Sequence, residues 1–135
     1  MGGETREMSE DWTQAAVDLQ KAWKSAFETR QFDELAELYA EATAFYGSTK
    51  AFYKTPAGVR EYFRDLPLNY VRADYEIPHI VRLGDDAMAA TGEVMFYSLD
   101  DGKLTERPCR MTHVLVRRGG VWKIATHHVS LRPTT

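Results

Sequence analysis

Three of the four histidines in this chain, His113, His127 and His128, lie in its last third. Histidine titrates close to neutral pH, so each of them could transfer a proton or orient a ligand. Arg110 stands among apolar residues in the same stretch, where a guanidinium either anchors an anionic ligand or pairs with a carboxylate such as Glu93. A buried glutamate with a raised pKa could act as a base, although a surface glutamate in an ion pair is commoner. These residue types indicate acid–base chemistry or ligand binding.

The three histidines fall on two β-rich runs that meet at Gly119-Gly120, which predicts a long antiparallel hairpin. Side chains alternate between the faces of a strand, so the turn decides which residues share a face. A two-residue turn gives one face Arg110, Thr112 and His127, and the other Met111, His113, Trp122 and His128. A three-residue turn with a bulge at Gly120 groups Arg110, Thr112, Trp122 and His128 against Met111, His113 and His127. In either case, His127 and His128 face opposite ways and cannot both enter one pocket.

The first part of the chain is predicted to be mainly helical. Apolar residues recur at spacings of three and four over residues 12–27, which predicts an amphipathic first helix. Asp33 is a plausible N-cap for a short second helix that runs to Tyr39. Thr55, followed by proline, is expected to begin a third helix, and Pro67 to stop it.

The rest of the chain predicts strands. A short strand is expected at residues 43–47, a strand at 71–83 that bends at Pro78, and another at 87–97. The hairpin follows, with Pro108 restricting its first strand locally to an edge or a bulge. Helices that cover one face of a bent, mainly antiparallel sheet form an α+β fold, and such a fold can leave a cavity between the layers.

Composition limits the possible functions. The chain has 135 residues and a formal charge of −3 with both signs interleaved, which indicates one domain and argues against nucleic acid or a membrane surface as a partner. We predict a flexible tail at residues 1–11, a single domain at 12–133, and a cytoplasmic protein without a signal segment. Cys109 is the only cysteine, and it forms no recognisable ligand spacing with the histidines, so neither a metal nor a cofactor is expected.

Several motifs carry a resemblance when they are taken in order. They are the stripe of the first helix, Phe32-Asp33, Thr43-Ala-Phe-Tyr46-Gly47, Arg110-x-Thr112, Gly120-Val-Trp122-Lys-Ile124 and His127-His128-x-Ser130. Together they resemble the nuclear transport factor 2-like superfamily, and within it the SnoaL-like proteins and the association domain of calcium/calmodulin-dependent kinase II. The resemblance implies a cone-shaped α+β fold, with three N-terminal helices packed on a strongly bent sheet, an interior pocket and a homodimer formed through the sheet. It also favours the three-residue turn.

Two well-known functions of the superfamily are not expected for this chain. Ketosteroid isomerases of this superfamily place a carboxylate base on the first short strand, where this chain aligns Tyr46, and a phenol is a poor base near neutral pH. The kinase association domain lines its cavity with arginines, whereas the matching positions here are His113, Val129 and a residue near Glu93. Steroid isomerisation and the binding of a strongly anionic ligand by that cluster are therefore disfavoured.

The sequence supports two hypotheses for the function of this protein. The first is a SnoaL-like protein that binds a small hydrophobic or aromatic molecule in an interior pocket, including the case of a cofactor-free enzyme acting on a polyketide-like substrate. The second is a non-catalytic module for homo-oligomerisation or scaffolding. No catalytic residue is assigned. The candidates for lining the pocket are Tyr46, Tyr53, Glu93, Arg110, Thr112, His113, His127 and His128.

Overall fold

The protein is described by a computed structural model that covers residues 2–66 and 69–134, with side chains from residue 12 onward. Three helices and seven strands are present in this part of the chain. The helices are α1 (Gly2–Glu28), α2 (Phe32–Glu37) and α3 (Pro56–Asp65). The strands are β1 (Tyr39–Tyr46), β2 (Phe52–Tyr53), β3 (Tyr70–Tyr75), β4 (His79–Arg82), β5 (Ala87–Asp100), β6 (Lys103–Arg118) and β7 (Val121–Leu131).

The helices follow the sequence periodicity, with two corrections that concern α2. The apolar stripe of α1 is buried, and the Thr55 hydroxyl caps α3 by accepting a hydrogen bond from the backbone N–H of Gly58 at 3.1 Å. In α2, however, Gln31 occupies the N-cap position without a side-chain capping bond, and Asp33 lies in the first turn, where it forms an ion pair with Arg60. Tyr39 belongs to β1, so the second helix is shorter than predicted.

Two predictions concern residues outside this description. The stop signal at Pro67 lies outside the described residues. Residues 2–11, predicted as part of a flexible tail, lie within the bounds of α1, but their side chains are outside the description, so the flexibility of this segment stays a prediction. No helix in the described part of the chain is both long and apolar enough to cross a membrane.

The strands form one strongly curved, unclosed mixed sheet in the order β2-β1-β7-β6-β5-β3, and β4 also pairs with β5. The strand predicted at 71–83 is divided into β3 and β4, which pair with successive parts of β5. β1 runs parallel to β7, whereas the other pairs are antiparallel. This parallel pair was not predicted, because nothing local in the sequence marks which strand β1 joins. The α+β class predicted from the sequence is confirmed.

The hairpin of β6 and β7 has a two-residue turn. Arg118 pairs with Val121, and the intervening Gly119 and Gly120 have φ angles of 58° and 79°. Two successive positive φ angles are the geometry of the tight hairpin turns that glycine favours. The preference for a three-residue turn was therefore wrong.

A bulge within β7 then changes the register of the hairpin. Val114 pairs with Thr126 and Leu115 pairs with Ile124, so Ala125 has no partner on β6. Because of this extra residue, the faces match neither alternative completely. The concave face, which packs on the helices, carries Met111, His113, Trp122 and His127, and the outer face carries Arg110, Thr112 and His128.

The core fills the space between α1, α3 and the concave face of the sheet, and its centre is aromatic. Trp23 stacks on Phe27 at 4.9 Å between ring centroids, and Phe45 meets the edge of Tyr62 at 4.8 Å. Offset and edge-on ring contacts of this kind add to the stabilisation that burial itself gives.

Replacing Gly47 with alanine is expected to lower the free energy of unfolding by about 1–3 kcal/mol, because the core would be overpacked. A Cβ atom at this position would lie 2.3 Å from Cζ of Tyr62, whose ring is buried against Phe45 and Phe63. Urea unfolding measures the loss. Gly84→Ala is the matched control, since a Cβ there meets no atom within 4 Å. Equal stabilities of the two variants would contradict this packing.

Candidate functional site

A cavity of about 320 Å³ lies between the helices and the concave face of the sheet. Its wall is mostly apolar and aromatic, with a few polar side chains. The helices contribute Trp23, Phe27, Tyr62 and Phe63, and the sheet and loops contribute Ser48, Leu66, Tyr70, Phe96, Arg107, Cys109, His127, Val129, Ser130 and Leu131. An apolar space with a few convergent polar groups is the usual form of a small-molecule site.

His127 is the buried polar group of this wall, with 2% of its surface exposed. The bulge at Ala125 turns its side chain to the concave face, while its neighbour His128 is exposed on the outer face. The imidazole ring stacks on Phe45, with 4.3 Å between centroids, and lies 6.4 Å from the ring of Trp23. The position of His127 is therefore fixed by packing as well as by hydrogen bonds.

A chain of hydrogen bonds determines the tautomer of His127. The indole Nε1–H of Trp23 donates to the Tyr39 hydroxyl at 3.0 Å, and that hydroxyl lies 3.0 Å from Nδ1 of His127. The indole can only donate, so among the described residues the one acceptor within reach of the buried Tyr39 hydroxyl proton is Nδ1 of His127, and the hydroxyl donates to it. Nε2–H of His113, 2.9 Å from the same Nδ1, then shares its single lone pair with the Tyr39 hydroxyl in a three-centre bond. The proton of a neutral His127 must consequently be on Nε2, which has no partner among the described residues.

Burial keeps both imidazoles neutral. It lowers the pKa of His113 to about 3, and it also lowers the pKa of His127 well below the ordinary value, with His113 and His128 adding repulsion. Burial likewise raises the pKa of Tyr39 far above that of a free phenol. Near neutral pH, the Nε2–H of His127 is therefore a hydrogen-bond donor, and His127 is not poised as a general base.

Arg107 is the cationic residue of the cavity wall, and about a third of its side chain is exposed. Its Nε–H donates to Oγ of Ser98 at 3.0 Å, and Nη2 lies 3.3 Å from Oδ2 of Asp100. Its guanidinium also lies over the ring of Tyr70, 5.8 Å from the centroid. The sequence interpretation missed this residue. A signal was available, because strand alternation places Arg107 and Cys109 on the same face of β6 as Met111 and His113.

The residues named from the sequence are widely distributed. Of those eight, His127 alone belongs to the cavity wall among the described residues, and His113 lies behind it as its hydrogen-bond partner. Tyr53 packs against Phe45 and Tyr62. The remaining five lie elsewhere: Tyr46, Glu93, Arg110, Thr112 and His128.

The outer residues have their own surroundings. Tyr46 and His128 are paired across the outer face, and Tyr46 is 47% exposed. Glu93 lies directly opposite Arg110 in the sheet register, but its carboxylate forms its ion pair with Arg132, at 3.0 Å. Within the described residues, no group of three or more histidine, cysteine, aspartate or glutamate side chains is arranged to hold a metal ion.

Comparison with known proteins agrees with this geometry. A family model described as a SnoaL-like domain matches residues 17–134. No curated protein matches the sequence. Among solved structures, a putative calcium/calmodulin dependent protein kinase II association domain from Xanthomonas campestris superimposes with a TM-score of 0.79 at 24% identity, over 89% of this chain and 87% of the other.

Two further structures show the same fold at lower identity. A ketosteroid isomerase-like protein from Erwinia carotovora atroseptica has a TM-score of 0.76 at 15% identity, over 87% of this chain and 93% of the other. An NTF2-like protein with a cystatin-like fold from Novosphingobium aromaticivorans has a TM-score of 0.81 at 13% identity, over 99% of this chain and 89% of the other. At these identities the likeness concerns the fold alone.

Proposed function

Because this chain belongs to the SnoaL-like domain family, we propose that its interior cavity binds a small, mostly apolar molecule carrying a carbonyl or a similar hydrogen-bond acceptor. The observation that carries the proposal is the fixed Nε2–H of His127 in the cavity wall. The other nitrogen of the same ring, Nδ1, already accepts from Tyr39 and His113, so the Nε2–H donor is left for the ligand.

The size and lining of the cavity support this class of ligand. A volume of about 320 Å³ is at the lower end of the range for small-molecule sites, which suits a molecule of two or three fused rings. Trp23, Phe27, Phe63 and Phe96 offer aromatic surfaces to such rings.

The same tautomer defines the chemistry that the site could perform. A neutral imidazole donating from Nε2 would polarise a bound carbonyl and stabilise negative charge developing on its oxygen. This role requires no cofactor. A substrate whose reaction passes through an enolate or a similar oxyanion fits the site better than one that needs a strong base from the protein.

A pair of ligands of one shape tests the hydrogen bond. 1-Tetralone and tetralin share a bicyclic skeleton, and only the former carries a carbonyl. We expect the wild-type protein to bind 1-tetralone about tenfold more tightly, the usual worth of one hydrogen bond. In His127→Phe, which keeps a ring beside Phe45, this preference should be lost or reversed, because the carbonyl would be buried without a hydrogen-bond partner. Isothermal titration calorimetry measures both affinities.

His128→Phe is the matched control, since it changes the adjacent histidine on the outer face and should preserve the preference for 1-tetralone.

Alkylation of Cys109 tests independently where the ligand binds, because this residue is the only thiol in the chain and it lines the cavity. Bound 1-tetralone should slow alkylation of Cys109 by N-ethylmaleimide, read by mass spectrometry. Unchanged alkylation at saturating ligand would place the ligand elsewhere and contradict the proposal.

The alternative function, a non-catalytic oligomerisation module, is not better supported than ligand binding. The homodimer and the cytoplasmic location expected from the sequence stay predictions.

A further inference from the structure

The cavity has a second hydrogen-bond donor besides His127, the guanidinium of Arg107. A guanidinium carries five N–H donors in a planar fork. In the described residues, one of these, on Nε, is bonded to Ser98, and Nη2 is bonded to Asp100. No hydrogen bond within the described residues uses Nη1. The fork is therefore attached along one side, and the other side is available to a ligand.

Buried and ionised neighbours hold this fork in place. Ser98 is fully buried, accepts from Arg107 and donates to Oδ2 of Asp100 at 3.1 Å. Asp100 also accepts from Nδ2 of Asn69 at 3.0 Å. The bond from Asn69 is the largest of the causes that lower the pKa of Asp100, so this carboxylate stays ionised near neutral pH. Packing of the guanidinium over the Tyr70 ring restricts it further.

A guanidinium fixed in this way is suited to a planar anion. Arginine binds carboxylates through two parallel N–H···O bonds, and pre-organisation lowers the entropy lost when those bonds form. Asp100 neutralises part of the charge but does not occupy the free side of the fork. The surrounding wall, which includes Tyr70 and Phe96, is aromatic, so the anion must be attached to an apolar body.

We propose that Arg107 is a specificity-determining binding residue, which selects cavity ligands bearing a carboxylate on an aromatic or otherwise apolar ring system. The inference rests on the proposed function, because it assumes that the cavity binds such molecules. It extends that function by defining the substrate class: an acid whose apolar part fills the cavity, with acceptors facing Arg107 and His127.

The test uses two probes that differ in charge but share a ring system and a carbonyl oxygen, 2-naphthoate and 2-acetonaphthone. Near pH 7.5 the wild-type protein should bind 2-naphthoate about tenfold more tightly than the ketone, as expected for a charge-assisted bidentate bond. Arg107→Gln should remove this preference by weakening 2-naphthoate alone. Arg110→Gln is the matched control, since it removes an arginine from the outer face of the same strand and should leave both affinities unchanged.

A second measurement needs no variant. Raising the salt concentration from about 50 mM to about 500 mM should reduce the preference of the wild-type protein for 2-naphthoate, because ions screen a partly exposed charge pair. The affinity for the ketone should not change.

The outcomes separate this inference from the proposed function. Equal affinities for the two probes in the wild-type protein would overturn the role of Arg107 and leave apolar ligand binding intact. A preference that persists in Arg107→Gln would also overturn it. If neither probe binds, and neither protects Cys109 from alkylation, both proposals are wrong.

Discussion

Replacing Trp23 with alanine is expected to lower the free energy of unfolding by about 3–5 kcal/mol, the range found for large aromatic residues removed from a packed core. Trp23 is 1% exposed, and its indole donates to the Tyr39 hydroxyl. The variant therefore loses aromatic packing and also leaves a buried oxygen with one partner fewer. Its ring contacts are to Phe27, Phe63, Tyr75, Phe96 and His127. Such a loss is a large part of the total stability of a domain of this size.

Urea unfolding near neutral pH measures the effect, and Trp122→Ala is the matched control. Trp122 is only half-buried, and its aromatic ring contact is with Trp12, about three helical turns before Trp23 on α1. Its removal should cost about 1–2 kcal/mol, in the range of ordinary destabilising substitutions. Trp23→Phe should lie between the two alanine variants, since it keeps a ring and loses the donor. A Trp23→Ala protein as stable as Trp122→Ala would contradict the central position given to Trp23.

Acidification is expected to destabilise the fold through its buried imidazoles. Unfolded His113 has a pKa near 6.5, and burial lowers this pKa to about 3 in the folded protein. The unfolded state therefore binds the proton first as the pH falls. The contribution of neutral His113 to the free energy of unfolding is fully present above about pH 6.5 and is lost progressively toward about pH 3. At about pH 5, His113 alone accounts for a loss of about 2 kcal/mol. His127, whose pKa is lowered in the same direction, adds to the loss.

Urea unfolding at about pH 7.5 and about pH 5 tests this linkage. In His113→Phe, the loss between the two pH values should be smaller by about 2 kcal/mol, because one titrating group has been removed. His128→Gln should lose as much as the wild-type protein, since that residue is exposed. The pKa of Asp74 is lowered by Arg72 and Lys24, so protonation of that carboxylate reduces stability mainly below about pH 4. It therefore contributes little to the difference between about pH 7.5 and about pH 5. An identical loss in His113→Phe would show that His113 is not responsible.

Much of the fold could be predicted from the sequence, because the signals are local. The α1 stripe, the Thr55 cap and the position of the Gly119-Gly120 turn each depend on neighbouring residues, whereas the preferred length of that turn was wrong. The parallel pairing of β1 with β7 could not be predicted in this way. It depends on a contact between distant segments, and no residue type in β1 specifies its partner.

The site was less predictable, for a related reason. His127 could be named because histidine is conspicuous, but its orientation depends on the bulge at Ala125, and alanine carries no turn signal. Arg110 attracted attention as an arginine among apolar residues, yet strand alternation puts it on the outer face. Arg107 was overlooked because it precedes Pro108, which suggested an edge rather than a cavity wall.

The unpaired residue in β7 has a consequence for how related sequences are compared. Deleting Ala125 would restore simple alternation and would leave His127 facing the interior, because Val114 already pairs with Thr126 and His113 with His127. A relative that lacks the extra residue therefore reaches the interior position of His127 one residue earlier in its strand. An ungapped alignment across this strand would then equate residues of opposite orientation, and a functional histidine in one relative would be matched with a surface residue in another.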